Sequence, residues 1–457
     1  MTTPESNTAQ ATVIADQRHA LRPWINLHAD EGDAPLVIAR GEGAWLYDSA
    51  GKRYLDAVGG LWCTNIGLGR DEMADAIADQ VRTLAYSSTF TDMTNAVSTQ
   101  LAEKIASLTP GDLNRVHFTT GGSTAIDSAY RLMQFYQRCM GRPEKVQIVA
   151  RKRAYHGSTF AAMSIGNRDG DRPPEFSYIE DGHHHLSAPD VYRRPAGLSE
   201  ADYAAQLVQE FSDLVDRVGA DKIGAFFAEP IMGSGGVLVP PEGYLTGIHA
   251  ICRAHDILFV ADEVVTAWGR LGQWFASEAV FGVVPDIIAS AKGLTSGYLP
   301  LGAMIYSDRI HDVIAAKNAE GYYASGYTYA GHPVSCAAAL KNIEIIERED
   351  LLGNADTVGR YFEEQLATLK ELPTVGDVRG MRMMMCVESV ADKATKALFP
   401  DKLNIGKRIS NAAEKLGLIV RPIGHLNIMS PPLMITRDDV DLIVDRLRRA
   451  IIAATPK

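Results

Sequence analysis

Asp286-Ile-Ile-Ala-Ser-Ala-Lys-Gly-Leu294, read with the upstream Ile257-Leu-Phe-Val-Ala-Asp-Glu-Val264, decides the fold of this chain. Each stretch is a short apolar run that ends on a polar side chain, Lys292 in the first and Asp262 in the second. A buried lysine is rare unless paired, because desolvating an ammonium is costly. The same desolvation lowers the amine pKa and makes its nitrogen a nucleophile. Taken singly, a strand-end aspartate is usually structural, and a lysine often snorkels to solvent. Delivered together from the ends of two buried strands, the pair suggests a Schiff-base cofactor site. Pyridoxal phosphate (PLP) needs this combination: a lysine for its aldehyde and an acid that keeps its ring nitrogen protonated.

The same pattern extends outward. Short apolar strands are expected at 116–119, 146–150, 223–228, 258–261, 287–289 and 302–305. Helical periods at 123–140, 203–218, 244–254 and 332–348 separate some of them. Such alternation predicts an α/β fold with a mostly parallel sheet and helices on both faces. Helices also read at 73–84 and 96–108. Before them, strands at 36–40, 44–48 and 53–56 form a β-meander, and residues 1–20 read as a frayed leader entering a short helix. The tail carries a helix at 361–369, a methionine-rich strand at 381–388, a helix at 405–416, strands at 418–421 and 426–430, and a closing helix at 438–454. This is a second, smaller α+β unit, which we expect to pack with the meander. The division is 1–71, the N-terminal part of the small domain; 72–333, the large domain; and 334–457, the C-terminal part.

Composition excludes several function classes. The chain has 457 residues, enough for a large core, and a formal net charge of −11. That charge argues against nucleic acid and against an anionic membrane surface as partners. No apolar run is long enough to span a bilayer, and residues 1–10 lack the basic and apolar regions of a signal peptide. Cys63, Cys139, Cys252, Cys336 and Cys386 are scattered and form no CxxC pair. They read as reduced thiols in a cytoplasmic protein, with neither a disulfide framework nor a zinc site. His183-His-His185 has no second ligand set nearby, so it reads as a solvated loop and no metal is expected.

Further motifs are weak one by one. Phe118-Thr-Thr-Gly-Gly-Ser-Thr124 is a strand, a glycine turn and a helix start, which suits a phosphate but equally an ordinary capped helix. In Ala154-Tyr-His-Gly-Ser158, Tyr155 could stack on a flat ring or simply wall the core. Glu229, in Phe226-Phe-Ala-Glu-Pro230, ends a strand where an α/β sheet meets its ligand crevice, or else caps a turn. Thr328, in Gly326-Tyr-Thr-Tyr-Ala-Gly-His-Pro333, could donate to a phosphate. Arg421, in Val420-Arg-Pro422, could fork onto a carboxylate or form a surface ion pair.

The order and spacing of these motifs resemble the class III aminotransferases, PLP enzymes of the aspartate-aminotransferase fold (fold type I). The likeness covers nearly the whole chain. Its most specific part runs from Ala261-Asp-Glu-Val264 through Ala291-Lys-Gly293 to Tyr327-Thr-Tyr-Ala-Gly-His-Pro333. The resemblance implies that Lys292 bonds the cofactor aldehyde and moves the substrate Cα proton. It implies that Asp262 pairs with the pyridine nitrogen, that Val264 packs on one ring face and that Tyr155 stacks on the other. Gly122 and Ser123 would bind the phosphate, with Thr328 reaching in from a partner subunit. His156 and Glu229 would complete the cofactor surroundings. The implied assembly is a homodimer with shared sites, a homotetramer being open as well.

Two departures narrow the reading. The family's phosphate turn usually reads Ser-Gly-Ser-Glu-Ala, and here it is Gly121-Gly-Ser-Thr-Ala125. In the ornithine and GABA enzymes a glutamate pairs with the substrate-binding arginine, and here Ser234 stands at that position. With Gly60-Leu-Trp-Cys63, this points to the amine:pyruvate (ω-transaminase) subgroup. There the arginine, Arg421, holds the carboxylate of pyruvate or alanine. Trp62, Phe90 from the partner and Tyr155 would line the donor pocket, and Trp24 would close its mouth. The expected reaction takes an amino group from a primary amine or ω-amino acid to a keto acid, pyruvate, in two half-reactions. The alternatives are decarboxylation, amino-group migration or racemisation on the same scaffold, a 2-oxoglutarate-dependent aminotransferase, a cofactor-free Schiff-base lyase, and a PLP-binding regulator without turnover.

Overall fold

The computed structural model describes residues 4–26, 35–317 and 322–456. A seven-stranded sheet has the order Arg115–Thr119, Gly302–Tyr306, Ile287–Ser290, Leu258–Asp262, Ile223–Ala228, Gln147–Arg151, His183–Leu186. The strands from Ile287–Ser290 to His183–Leu186 are parallel. Gly302–Tyr306 runs antiparallel to both of its neighbours. The fold is therefore the α/β, mostly parallel arrangement expected.

Every residue of Ile223–Ala228, Leu258–Asp262 and Ile287–Ser290 is buried. Helices cover both faces, so both sets of alternating side chains must be apolar, and the strands read as continuous runs. Phe227, Val260 and Ile287 face Ile126 and Met133 of the helix Gly122–Cys139. Their neighbours Phe226, Phe259 and Ile288 face the opposite core, with Phe211 of Glu200–Val218 and Ile248 of Tyr244–Ala254. Ser199 starts Glu200–Val218, its side chain accepting from the Asp202 N–H as an N-cap should.

Two further sheets, each of four strands, lie among the described residues. One holds Ile38–Glu42, Trp45–Asp48, Arg53–Asp56 and Leu418–Ile419, the last parallel to Arg53–Asp56. The other holds Val375–Met381, Met384–Ser389, Leu426–Met429 and Arg421–Ile423. The closing helix Arg437–Ala454 begins with a Thr436/Asp439 capping box. The helix Pro333–Arg348 serves two cores at once: Cys336 and Ile343 pack toward the large sheet, Ile345 and Ile346 toward the small ones. Among the described residues, no helix is long and apolar enough to cross a membrane.

Several local expectations are corrected. The methionine run is not one strand but part of a hairpin, turning at Arg382, where φ is +52°. His183-His-His185 is not a loop: it forms the edge strand His183–Leu186, parallel to Gln147–Arg151. The helix expected at 361–369 starts earlier and spans Leu351–Ala367, led by Asp350, whose side chain accepts from the Gly353 N–H. The first strand begins two residues later than read, at Ile38. The leading helix spans Pro4–His19, and residues 1–3 of the expected leader lie outside the described residues.

Candidate active site

Parallel strands deliver their carboxyl ends to one crevice, where α/β sheets present side chains to ligands. After Ile287–Ser290 the chain enters a tight turn, Lys292–Leu294, with Lys292 at φ +45°. A non-glycine residue in that region costs on the order of 1–3 kcal/mol and persists where its surroundings over-determine it. Here they do: the Asn342 amide donates to the Gly293 and Leu294 carbonyls at 2.8 and 3.0 Å. A Cβ on Gly293 would stand 2.4 Å from Asn65 Nδ2, so no larger residue can follow the lysine without displacing it.

Asp262 ends the neighbouring strand and is 5% exposed. Its Oδ1 accepts from the Val264 N–H at 3.1 Å, and its Oδ2 lies 2.7 Å from His156 Nδ1. Burial pulls the Lys292 ammonium pKa below the ordinary lysine value, while the Asp262 charge opposes that shift. Glu229 follows Ile223–Ala228 and spans two loops. Its carboxylate accepts from the Tyr155 N–H at 3.2 Å and from the Gly233 N–H at 2.8 Å. Burial pushes this carboxyl pKa up, and the nearby His156 resists it. Glu229 thus sets the position of Tyr155.

The helix Gly122–Cys139 begins at the same crevice with no side-chain cap. A Cβ on Gly122 would lie 2.9 Å from a Val264 methyl, which explains the glycine. The Ser123 hydroxyl accepts from the Ser158 N–H at 3.1 Å and keeps its own proton free to donate. Trp62 is held over the cavity by Asp56, whose carboxylate accepts from the N–H groups of Val58, Gly59 and Gly60. Arg421 opens the strand Arg421–Ile423, and its Nε is buried without a hydrogen-bond partner. Trp24 meets Tyr155 edge-on, ring centroids 6.0 Å apart.

One cavity of about 490 Å³ gathers Lys292, Asp262, Tyr155, Glu229, Val264 and Arg421, with Gly122, Ser123, His156, Trp62 and Trp24 also on its wall. Two expected residues are not brought there. Phe90 is 48% exposed and lies beside Gly326. Thr328 is exposed, its carbonyl accepting from the Tyr86 hydroxyl at 2.9 Å. The sequence reading missed Arg168, which lines the cavity, and Asp171, which pairs with it from outside the lining. Their spacing, charges three residues apart in a loop, was the only available signal.

This donor set fits PLP. An uncapped helix start with a glycine at its first position suits the phosphate, and a buried carboxylate and an amine share one cavity with an aromatic ring and an isopropyl group. The comparisons agree. The model of the family "Aminotransferase class-III" matches residues 27–451. A diaminobutyrate–2-oxoglutarate transaminase of Halomonas elongata is 38% identical over 93% of this chain and 92% of its own length. A putrescine–pyruvate aminotransferase of Pseudomonas aeruginosa is 35% identical over 95% and 94%. Among solved structures, an (S)-enantioselective omega-transaminase from Thermomicrobium roseum superposes with a TM-score of 0.95 at 40% identity, covering 98% of this chain and 99% of that one. The omega transaminase of Pseudomonas jessenii, solved in complex with PMP, gives a TM-score of 0.94 at 34% identity, covering 97% and 98%. The chain belongs to the class III aminotransferases, and it is a PLP-dependent aminotransferase acting on small amines and keto acids.

Proposed function

We propose that this aminotransferase moves an amino group from a primary amine or ω-amino acid to pyruvate, forming alanine, in two half-reactions. PLP, when bound, supplies the electron sink that makes the substrate Cα–H acidic. The chain's own residues do the rest. Lys292 Nζ takes the Cα proton and returns it, and its lowered basicity keeps more of it neutral and able to accept. Asp262, steadied by His156 and the Val264 N–H, would keep the cofactor's ring nitrogen protonated. The uncapped start of Gly122–Cys139 and the Ser123 hydroxyl would bind its phosphate. Val264 and Tyr155 would hold the cofactor ring, and Trp62 and Tyr155 would shape the donor pocket.

The observation that carries the acceptor reading is Arg421. It reaches the cavity with a buried, unpartnered Nε, and Ser234 stands where a pairing glutamate would be. Such a guanidinium suits one carboxylate and leaves an apolar wall for an amine without one. The names of the two relatives divide between pyruvate and 2-oxoglutarate. The reading therefore rests on Arg421 and not on kinship. The exposed positions of Phe90 and Thr328 support their supply to a partner's cavity, in a homodimer or homotetramer. The parallel pairing of Leu418–Ile419 with Arg53–Asp56 supports one small domain built from 1–71 and 334–457 around 72–333. Scattered cysteines support a cytoplasmic setting.

An acceptor panel with one fixed amine donor tests this. Pyruvate should exceed 2-oxoglutarate in kcat/KM. Arg421→Leu should raise the pyruvate KM about 100-fold, the loss of a bidentate charged contact, while leaving a carboxylate-free amine donor nearly unaffected. A preference for 2-oxoglutarate would overturn the reading.

A further inference from the structure

Arg168 enters the cavity wall at the start of the short 3-10 turn Asp169–Asp171, which no motif marks, and Asp171 pairs with it from outside the lining. Arg168 donates from Nε to Asp171 Oδ2 at 2.6 Å and from Nη2 to Oδ1, a bidentate fork. Asp171 is 5% exposed, and its Oδ1 also accepts the Trp24 indole N–H at 2.7 Å. One buried carboxylate therefore neutralises an arginine and ties down the aromatic residue at the mouth. The Arg168 guanidinium lies over the Tyr155 ring, 5.5 Å from its centroid, and Nη1 reaches the Ser234 carbonyl at 3.4 Å. Arg421 lines the same cavity, where burial and then the Arg168 charge lower its pKa, and Tyr155 and Asp171 partly oppose them. Arg168 is held in an ion pair, whereas Arg421 has none among the described residues and its Nε is buried without a hydrogen-bond partner.

We infer that Asp171 sets the charge of the acceptor: by holding Arg168 in an ion pair it leaves Arg421 as the one guanidinium without an ion pair among the described cavity residues, and so selects a keto acid with one carboxylate over one with two. This rests on the pyruvate reading above. A second carboxylate entering at the Arg168 end meets a cation already neutralised, with the Asp171 charge close behind it. It loses hydration there and gains no partner. Asp171 itself does not line the cavity. It is a positioning residue, acting on the acceptor through the charge of Arg168.

The test measures kcat/KM for pyruvate and for 2-oxoglutarate with one donor, and the calorimetric affinity of the holoenzyme for propionate and for glutarate. Asp171→Asn should raise the 2-oxoglutarate to pyruvate ratio about ten-fold, the worth of one charge-assisted hydrogen bond, and glutarate affinity should rise in parallel over propionate. The gain should vanish in the double variant Asp171→Asn/Arg168→Gln. It should also be absent in Trp24→Phe, which unties the indole but leaves Arg168 paired. A ratio for Asp171→Asn within about two-fold of wild type overturns the inference. So does an equal rise in Trp24→Phe, which would make mouth width the cause. Should Asp171→Asn fail to fold, Arg168→Gln alone bears the test. It bares the Asp171 charge, so the pyruvate KM should rise about ten-fold while the KM of a carboxylate-free amine does not. Equal changes in both KM values overturn the inference. A wild-type preference for 2-oxoglutarate sinks the acceptor reading itself. A wild-type preference for pyruvate with an unmoved Asp171→Asn ratio sinks only the role of Asp171.

Discussion

Gly157→Ala probes the seam between the Tyr155 loop and the helix that would hold the cofactor phosphate. Gly157 has φ +136°, a region essentially closed to other residues. A Cβ there would stand 2.5 Å from Ser123 Oγ and 2.7 Å from Ser123 Cα and Cβ. The hydroxyl can rotate away, but the Cα belongs to the first turn of Gly122–Cys139 and cannot. The loop must therefore retreat, breaking the 3.1 Å bond from the Ser158 N–H to Ser123 Oγ and drawing Tyr155 and His156 off their positions. Backbone strain costs about 1–3 kcal/mol. The lost hydrogen bond adds about 1 kcal/mol. If the loop sheds that energy only by leaving the binding geometry, PLP affinity falls by roughly 30- to 1,000-fold, for about 2–4 kcal/mol. Titration of the apoenzyme with PLP, followed by the absorbance of the bound cofactor, measures this directly. Ser123→Ala in the same background removes the Oγ contact but not the two carbon contacts, so it should recover less than about 1 kcal/mol. An affinity for Gly157→Ala within about two-fold of wild type would refute the reasoning.

Two further outcomes follow from buried charges. In the apoenzyme, only the neutral Lys292 amine attacks an aldehyde, so the rate of bonding to PLP should rise with pH and level off above the amine's pKa. Burial places that midpoint below the ordinary lysine value, and Asp262→Asn, which removes the anion that favours the ammonium, should move it lower still. A stopped-flow pH series reads both, and a midpoint that rises in Asp262→Asn counts against the geometry. Glu263, fully buried, accepts from Thr266 Oγ1 at 2.9 Å and from the Ala276 and Ser277 N–H groups at 2.8 Å each. Glu263→Ala leaves those donors unpaired and should cost about 3 kcal/mol in urea unfolding, with the cofactor absorbance unchanged in the folded protein. A cost under about 1 kcal/mol would show that water replaces the carboxylate.

Much of the fold was legible because burial on both faces leaves a strong local mark. Ile223–Ala228, Leu258–Asp262 and Ile287–Ser290 are unbroken apolar runs for that reason, and the polar residues at their ends stand out. Direction left no such mark: nothing in Gly302–Tyr306 distinguishes it from its parallel neighbours, yet it runs the other way. The hairpin at Arg382 was hidden because its turn carries methionines on both sides and a left-handed arginine where a second glycine or an asparagine would have signalled it. The edge strand His183–Leu186 was hidden because an edge tolerates polar residues that a central strand does not.

What the chain's own order determined was a set of buried strands and the chemistry at their carboxyl ends: an amine at 292, acids at 229 and 262, and an aromatic ring at 155. Only the tertiary structure decided which of them share a cavity, that Arg168 arrives already paired to Asp171, and that Phe90 and Thr328 stay outside. The physical reason is range. Strand and helix patterns record which face of a segment is buried, a property of neighbouring residues, whereas a site is a meeting of segments hundreds of residues apart, fixed by sheet order and packing that no local pattern contains.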